Sequence, residues 1–311
     1  MHLDPDYTKA SLAKNPHTSS RKQSCRISVF IVAAILTACG QSPIQEVGGS
    51  EVSFNGQLAY GQALAQCAFG PRPTGSEAGR KTGDYIASQL ESLGWQVETE
   101  QFDYRGLSVS NIIGKRGEGP VIILGAHYDT RPLADRDPRA PDQPILGGND
   151  GASGVAVLLE LARVLPTYHL RNEIWLAFFD AEDRGHIDGW PFSVGARHTA
   201  QNLDTQPAYV IILDMVGDPQ QEIYYERNSD PQLRRRIWDI AQGLGYEEFV
   251  AEERYSIIDD HTPFLEVGTP AVDIIDFDYP FWHTTEDTCD KISLESLERV
   301  GRVMVKLLTE D

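Results

Sequence analysis

Unbroken apolar runs alternate with helical spacings along most of this chain, and several of the runs break off into an acidic or imidazole side chain. The spacing predicts helices over 55–67 and 76–93, the second opened by Ser76 as a cap with Glu77 in its first turn and closed by Gly94. Strands are expected over 95–104, 108–114 and 120–126. The last of these carries a Val121-Ile122-Ile123-Leu124 run suited to a sheet interior, and it stops at His127. A helix over 152–165 is preceded by Asn149-Asp150-Gly151, and a buried strand over 173–179 runs straight into Asp180-Ala181-Glu182-Asp183. Further on come a short helix over 194–201, a strand over 209–213 ending at Asp214 and an amphipathic helix over 231–244. A turn or two of helix over 260–267, a last strand over 269–275, a long loop over 276–290 carrying His283 and a closing helix over 294–308 complete the pattern.

Strands alternating with helices in this way predict the α/β class: a three-layer α/β/α sandwich on a mixed, mostly parallel central sheet, with the strands inside 95–114 as an antiparallel edge. Open sheets of this kind place ligands outside the carboxyl ends of their strands. His127, Asp150, Asp183, Asp214 and His283 mostly fall at such ends, which reads as a zinc site and points to hydrolytic or acyl-transfer chemistry.

Taken singly, each candidate has an ordinary explanation. Aspartate is among the best helix N-caps, which accounts for Asp150 without a metal. His127 is equally a histidine satisfied by loop backbone, although Asp129 two residues on would orient it as metal-bound imidazoles require. Glu182 and Asp183 are harder to dismiss, because adjacent carboxylates at a strand mouth repel one another unless a cation or a shared proton intervenes. Only their joint occurrence carries the metal reading.

The ends and the composition narrow the setting. Arg21, Lys22 and Arg26 precede an apolar run over 27–38 that is too short to span a bilayer, and Leu36-Thr37-Ala38-Cys39 follows. This resembles a bacterial lipoprotein signal, with Cys39 the lipidated first residue of the mature chain; an ordinary signal peptide or uncleaved anchor is the alternative. The expected organisation is a lipoprotein-type signal over 1–39, a tether over 40–52 and a single zinc-dependent catalytic domain over 53–311. The protein would then be exported to the bacterial cell envelope, lipid-anchored and facing outside the cytoplasm. A net charge of −19 argues against nucleic acid as a partner. Of four cysteines, Cys67 and Cys289 remain in the folded part. Export permits a bridge between them, but spacing leaves a disulfide and free buried thiols both open.

The order His127-x-Asp129, Asn149-Asp150-Gly151-Ala152-Ser153-Gly154, Glu182-Asp183, Leu213-Asp214-Met215, Asp260-His261-x-Pro263-Phe264 and His283-Thr284-x-x-Asp287 resembles the co-catalytic zinc aminopeptidases, family twenty-eight of the metallopeptidases. It is also similar to their relatives, the animal-type glutaminyl-peptide cyclotransferases. The resemblance implies that His127, Asp150 and Asp214 hold one zinc and that Asp150, Asp183 and His283 hold the other, with Glu182 as general acid/base. Position 183 departs from the pattern: aspartate stands where glutamate is usual, one methylene shorter, which puts the metal in that half of the site in question.

Two activities follow from the resemblance, both on peptide or protein N-termini. An aminopeptidase would use two zincs and water. A cyclase would use one zinc, at Asp150, Asp183 and His283, while the substrate's own amine attacks the amide of an N-terminal glutamine. Ile258-Asp259-Asp260-His261 resembles the cyclase run, in which Asp259 would hydrogen-bond with Glu182 and Asp214 as part of the catalytic group. Trp282 beside the last ligand is also cyclase-like, and Trp190 is expected as another pocket wall, since aromatic walls exclude water from the reacting amide. The complete ligand set and the Asn149–Gly154 segment are peptidase-like, and loss of catalysis to leave a binding ectodomain is the third and weakest reading. The residues favour the cyclase.

Overall fold

The apolar runs pair as strands in the computed structural model, which describes residues 51–310. The leader, its Cys39 and most of the tether lie outside the described residues. Eight strands are present among those described: β1 (Gln96–Tyr104), β2 (Leu107–Arg116), β3 (Val121–His127), β4 (Glu173–Phe179), β5 (Tyr209–Asp214), β6 (Ile223–Tyr225), β7 (Phe249–Glu253) and β8 (Ala271–Ile275). Six form the main sheet in the order β1-β2-β4-β3-β5-β8. β3, β4, β5 and β8 run parallel, while β2 pairs antiparallel with both β1 and β4, so the expected antiparallel edge is there. All the described residues belong to one compact unit, Gly48–Asp311.

Seven α-helices among the described residues flank the sheet: α1 (Gly56–Cys67), α2 (Glu77–Ser92), α3 (Ala152–Val164), α4 (Val194–Gln201), α5 (Pro231–Gly243), α6 (Thr262–Glu266) and α7 (Leu294–Glu310). Side chains alternate across the central strands as a pleated sheet requires. Ile122, Leu124 and Ala126 of β3, with Ile211 and Leu213 of β5, enter the large core beneath α1, α2, α3, α5 and α7. Val121 and Ile123, with Val210 and Ile212, enter the smaller core beneath α4 and α6. This alternation sets the face on which each strand-end residue emerges, and it places the chemistry.

Helix starts follow local chemistry. The side chains of Asn55, Ser76 and Asp230 accept hydrogen bonds from backbone N–H groups in the first turns of α1, α2 and α5. Asp150 does not cap α3. Gly151 holds that position, with φ 101°, and no side chain caps the helix. A Cβ on Gly151 would lie 2.9 Å from the carbonyl of Asp129, so only glycine lets α3 start this close to the end of β3.

One departure from the expected elements stands out, and one open question is decided. β6 and β7 pair in a small separate parallel sheet that the hydrophobic pattern did not mark. Both are short, and β7 exposes Ala251, Glu252 and Glu253; only Ile223 and Phe249 are buried with Trp238 of α5. Cys67 and Cys289 form a disulfide with Cα atoms 6.4 Å apart, tying the end of α1 to the loop before α7. Replacing both with serine is expected to destabilise the fold by about 2–4 kcal/mol. A thermal melt would show this as a lower midpoint, matched by adding reductant to the unaltered protein, and an unchanged midpoint would remove the bridge from the stability account. Among the described residues no helix is long and apolar enough to cross a membrane.

Candidate metal centre

Continuing the β3–β5 register, in which Gly125 lies opposite Ile212, sets His127 opposite Asp214. Both emerge on the α4 and α6 face, because each is an even number of residues from a side chain buried there. Their contact follows from the pairing, with His127 Nε2 3.2 Å from Asp214 Oδ1. Asp150 arrives from the turn before α3 and stands between two imidazoles. Its Oδ1 is 3.1 Å from His127 Nε2 and its Oδ2 is 3.8 Å from His283 Nε2. Asp183, beyond the end of β4, brings Oδ1 to 3.3 Å from His283 Nε2. The five ligand candidates thus form two groups with Asp150 in common, His127/Asp150/Asp214 and Asp150/Asp183/His283, all buried. The shorter arm of Asp183 still reaches.

A cation fits these residues. Asp150 Oδ2 and Asp183 Oδ2 are buried without any hydrogen-bond partner, an arrangement whose desolvation is compensated only by a metal or a proton. Imidazole nitrogens with carboxylate oxygens are the donors zinc takes in catalytic sites. The electrostatics agree. Burial pushes Asp183 up to about 6, with the charge of Asp150 adding to it. Burial pushes Asp214 up to about 7, and the charge of Asp259 adds there. Asp150 is pulled the other way, because the hydrogen bond from His127 and the charges of His127, His283 and Arg131 outweigh its burial. Glu182 is raised well above the carboxylate range, first by burial and then by Asp259, Asp183 and Asp260, against an opposing effect of His127. A cation beside it would restore an ionised carboxylate able to accept a proton.

Several positioning residues were not marked in the sequence. The carboxylate of Asp135 lies 3.1 Å from His283 Nδ1, which turns Nε2 toward Asp150 and Asp183. Arg131 is buried beside Asp183, 3.4 Å from its Oδ1, and also donates to the carbonyls of Asp183 and Gly185. Asp287 accepts from the backbone N–H groups of Asn149 and Asp150 and from the hydroxyl of Tyr279, fixing the turn that presents Asp150. No spacing rule reveals these contacts, since each joins segments far apart in the chain; only Asp287 carried a signal, as part of the His283-Thr284-x-x-Asp287 motif.

Asp129 orients His127 chiefly through its backbone carbonyl, 3.1 Å from Nδ1, whereas its carboxylate is 3.7 Å away. That carboxylate instead accepts from the N–H groups of Glu182 and Asp183, holding the loop that carries both. Ala181, Met215 and His283 have φ values of 62°, 45° and 57°. Non-glycine residues in that region cost about 1–3 kcal/mol each, and here they cluster next to or within the ligand set, as strained backbone at functional sites does.

The metal groups open into a cavity of about 270 Å³, lined by the polar side chains of Asp150, Glu182, Asp183, Asp214, Asp259 and His283 and by the apolar ones of Phe192, Ile257, Ile258, Phe277 and Trp282. Trp282 is therefore a wall, but Trp190 is not. Residues 184–190 close a turn on themselves, and Trp190 packs on Tyr104 with a ring separation of 4.8 Å, in a cluster with Val109, Ala181 and Val194. The chain then returns through hydrogen bonds from Ser193 and Val194 to the carbonyls of Glu182 and Ala181, which brings Phe192 to the mouth instead. Asp259 stands in the cavity beside Glu182 and Asp214, yet its Oδ2 has no hydrogen-bond partner and its Oδ1 accepts from the N–H of Asp260. The expected hydrogen bonds to Glu182 and Asp214 are not formed, because three carboxylates bond one another only when protons are shared. Asp259 also belongs to a third buried group, Asp259/His261/Asp273. Burial and the charge of Asp259 push Asp273 far up, while His261 sits 3.3 Å from Glu226.

Buried imidazoles and carboxylates around a shared aspartate, with a glutamate alongside and an α/β/α sandwich beneath, define the class of zinc-dependent enzymes built on the exopeptidase fold. Residues 111–308 match the model of Peptidase family M28, and the chain belongs to that family. The structure of a leucine aminopeptidase precursor from Bacteroides thetaiotaomicron is similar at 32% identity and TM-score 0.80, covering 84% of this chain and 99% of that one. A glutaminyl cyclase of the same organism, bound to N-acetylhistamine, is similar at 32% identity and TM-score 0.79 over the same shares. The glutaminyl-peptide cyclotransferase of Bos taurus is 28% identical over 287 residues, 76% of this chain and 77% of that protein. The chain is an enzyme, a zinc-dependent cyclase or aminopeptidase.

Proposed function

We propose that this protein is a zinc-dependent glutaminyl-peptide cyclotransferase, converting the N-terminal glutamine of peptides or proteins to pyroglutamate with release of ammonia. One asymmetry carries the reading. Each imidazole pairs with an aspartate, His127 with Asp214 at 3.2 Å and His283 with Asp183 at 3.3 Å, but Asp183 keeps a second buried oxygen without a partner, as does the shared Asp150, whereas no oxygen of Asp214 is left buried and unpartnered. That favours a single zinc on Asp150, Asp183 and His283, with His127 and Asp214 supporting Asp150.

Zinc held there supplies a Lewis acid that polarises the carbonyl of the glutamine side-chain amide. Glu182 accepts the proton that the α-amine sheds as its nitrogen bonds to the side-chain carbonyl carbon. It then delivers that proton to the amide nitrogen as the old carbon–nitrogen bond breaks and ammonia leaves. Trp282, Phe277 and Phe192 wall the cavity against water, which would otherwise compete with the amine. At about 270 Å³ the cavity lies at the lower end of small-molecule sites, suited to a single residue. Asp259 and Asp214 line the same cavity as Glu182, and the charge of Asp259 adds to the rise of the Glu182 carboxyl that burial begins.

The aminopeptidase reading keeps one observation in its favour, the intact second group around His127. An assay separates them. Offered a glutamine-initiated and a leucine-initiated peptide, the protein is expected to release ammonia from the first and leave the second uncut; free leucine without pyroglutamate overturns the proposal. Export and anchoring through Cys39 belong to the same reading, supported by the basic-apolar-small order before Cys39 and by the disulfide, which is at home in an oxidising compartment.

A further inference from the structure

Beyond Trp282 the catalytic cavity gives way to a second one, of about 430 Å³, that shares Phe277 and Trp282 with it as a common wall. Tyr255, Tyr279 and Arg136 line its far side. Arg136 is the only charged residue among those that line it, and its guanidinium sits 4.0 Å over the Trp282 ring. The neighbouring acid, Asp278, is taken up by Arg254 at 3.0 Å and by the hydroxyl of Tyr255. Glu286, near the same loop, faces Arg139. Arg136 has no carboxylate partner among the described residues, although acidic side chains outnumber basic ones 46 to 27 in this chain. Its backbone is fixed as well, because its N–H donates to the carbonyl of His283 at 3.2 Å.

An unpaired guanidinium stacked on an aromatic face keeps its hydrogen-bonding edge free for an anion, and a planar fork of donors matches a carboxylate. The position relative to the reacting centre supplies the rest. With one residue filling the inner cavity, the outer cavity across the shared Phe277 and Trp282 wall is the adjoining space for the second residue.

We propose that Arg136, seated on Trp282, forms a subsite for a carboxylate carried by the second residue of the substrate, whether an acidic side chain or the C-terminal carboxylate of a dipeptide. The subsite rests on the cyclase reading for its first residue but not for its chemistry, because a hydrolase using the same inner cavity would send its peptide the same way.

The test compares kcat/KM for Gln-Glu-amide, Gln-Ala-amide and Gln-Lys-amide, with Gln-Ala as the free acid to separate the terminal from the side-chain carboxylate, in the full protein and in Arg136→Ala and Arg136→Glu. The expected result is a preference of about five-fold for glutamate over lysine, shrinking at high salt, lost in Arg136→Ala and reversed in Arg136→Glu. A preference for the free acid over Gln-Ala-amide that also depends on Arg136 assigns the terminal carboxylate to the same place. Equal rates across the series, or a preference that survives in Arg136→Ala, overturn the subsite while pyroglutamate formation leaves the cyclase standing. Should no glutamine peptide cyclise, that reading fails on its own, and the same second residues are read in leucine-initiated peptides by cleavage. There an Arg136-dependent preference for glutamate supports the subsite, and a flat series or no cleavage overturns it.

Discussion

Glu182→Gln is expected to lower turnover of a glutamine-initiated peptide by about 10²–10⁴-fold, the usual contribution of a positioned acid/base. The substitution keeps size and removes only the ability to take a proton from the amine and return it to the leaving nitrogen. Glu182 is held by its N–H to Asp129 and by its carbonyl to Ser193, both through the backbone, so the loop should keep its shape. Zinc content and the thermal midpoint are expected to stay near those of the unaltered protein. Ammonia release at saturating peptide measures the effect, and a rate within two-fold or so of the original removes Glu182 from the mechanism.

The second large effect separates the two halves of the metal centre. His283→Ala removes a donor from the group whose carboxylate oxygens are orphaned, and zinc binding should fall well beyond the roughly 10–100-fold that losing a neighbour of a ligand costs. Activity should disappear with it. His127→Ala removes the imidazole that pairs with Asp214 and Asp150, and the protein is expected to retain zinc near its original content, with weaker orientation of Asp150. Metal analysis of purified variants decides the matter: equal loss from both would mean that the two groups each hold an ion, and the one-zinc cyclase reading would give way to the aminopeptidase.

Much of the molecule was legible from one dimension. β4 and α4 match their expected ranges, and the other main-sheet strands and longer helices differ by a residue or two, because a buried parallel strand must be apolar throughout and a helix needs its cap. The short sheet of β6 and β7 escaped detection, since two buried side chains in eight residues make no pattern. Trp190 was misplaced for a different reason. It lies in a loop with positive φ at His186 and Asp188 before it and at Ser193 after it, and nothing in the order of residues says which of Trp190 and Phe192 such a loop sends to the cavity. Taken singly Asp150 reads as a cap, and the motif resemblance implies a shared ligand; in the structure it is the common member of two buried groups, with Gly151 beginning the helix.

The run of side chains along the backbone was enough to settle the α/β class and to place the candidate donors His127, Asp183 and Asp214 at or just past strand ends, because periodicity and capping are local properties that survive without knowledge of neighbours. Folding alone decided which carboxylate oxygens are left unpaired, that Cys67 meets Cys289, that Asp135, Arg131 and Asp287 brace the donors, and that Arg136 lies on Trp282 past the cavity wall. Each of those depends on the distance between segments remote in the chain, and such distances are fixed by strand register and core packing rather than by any residue's identity.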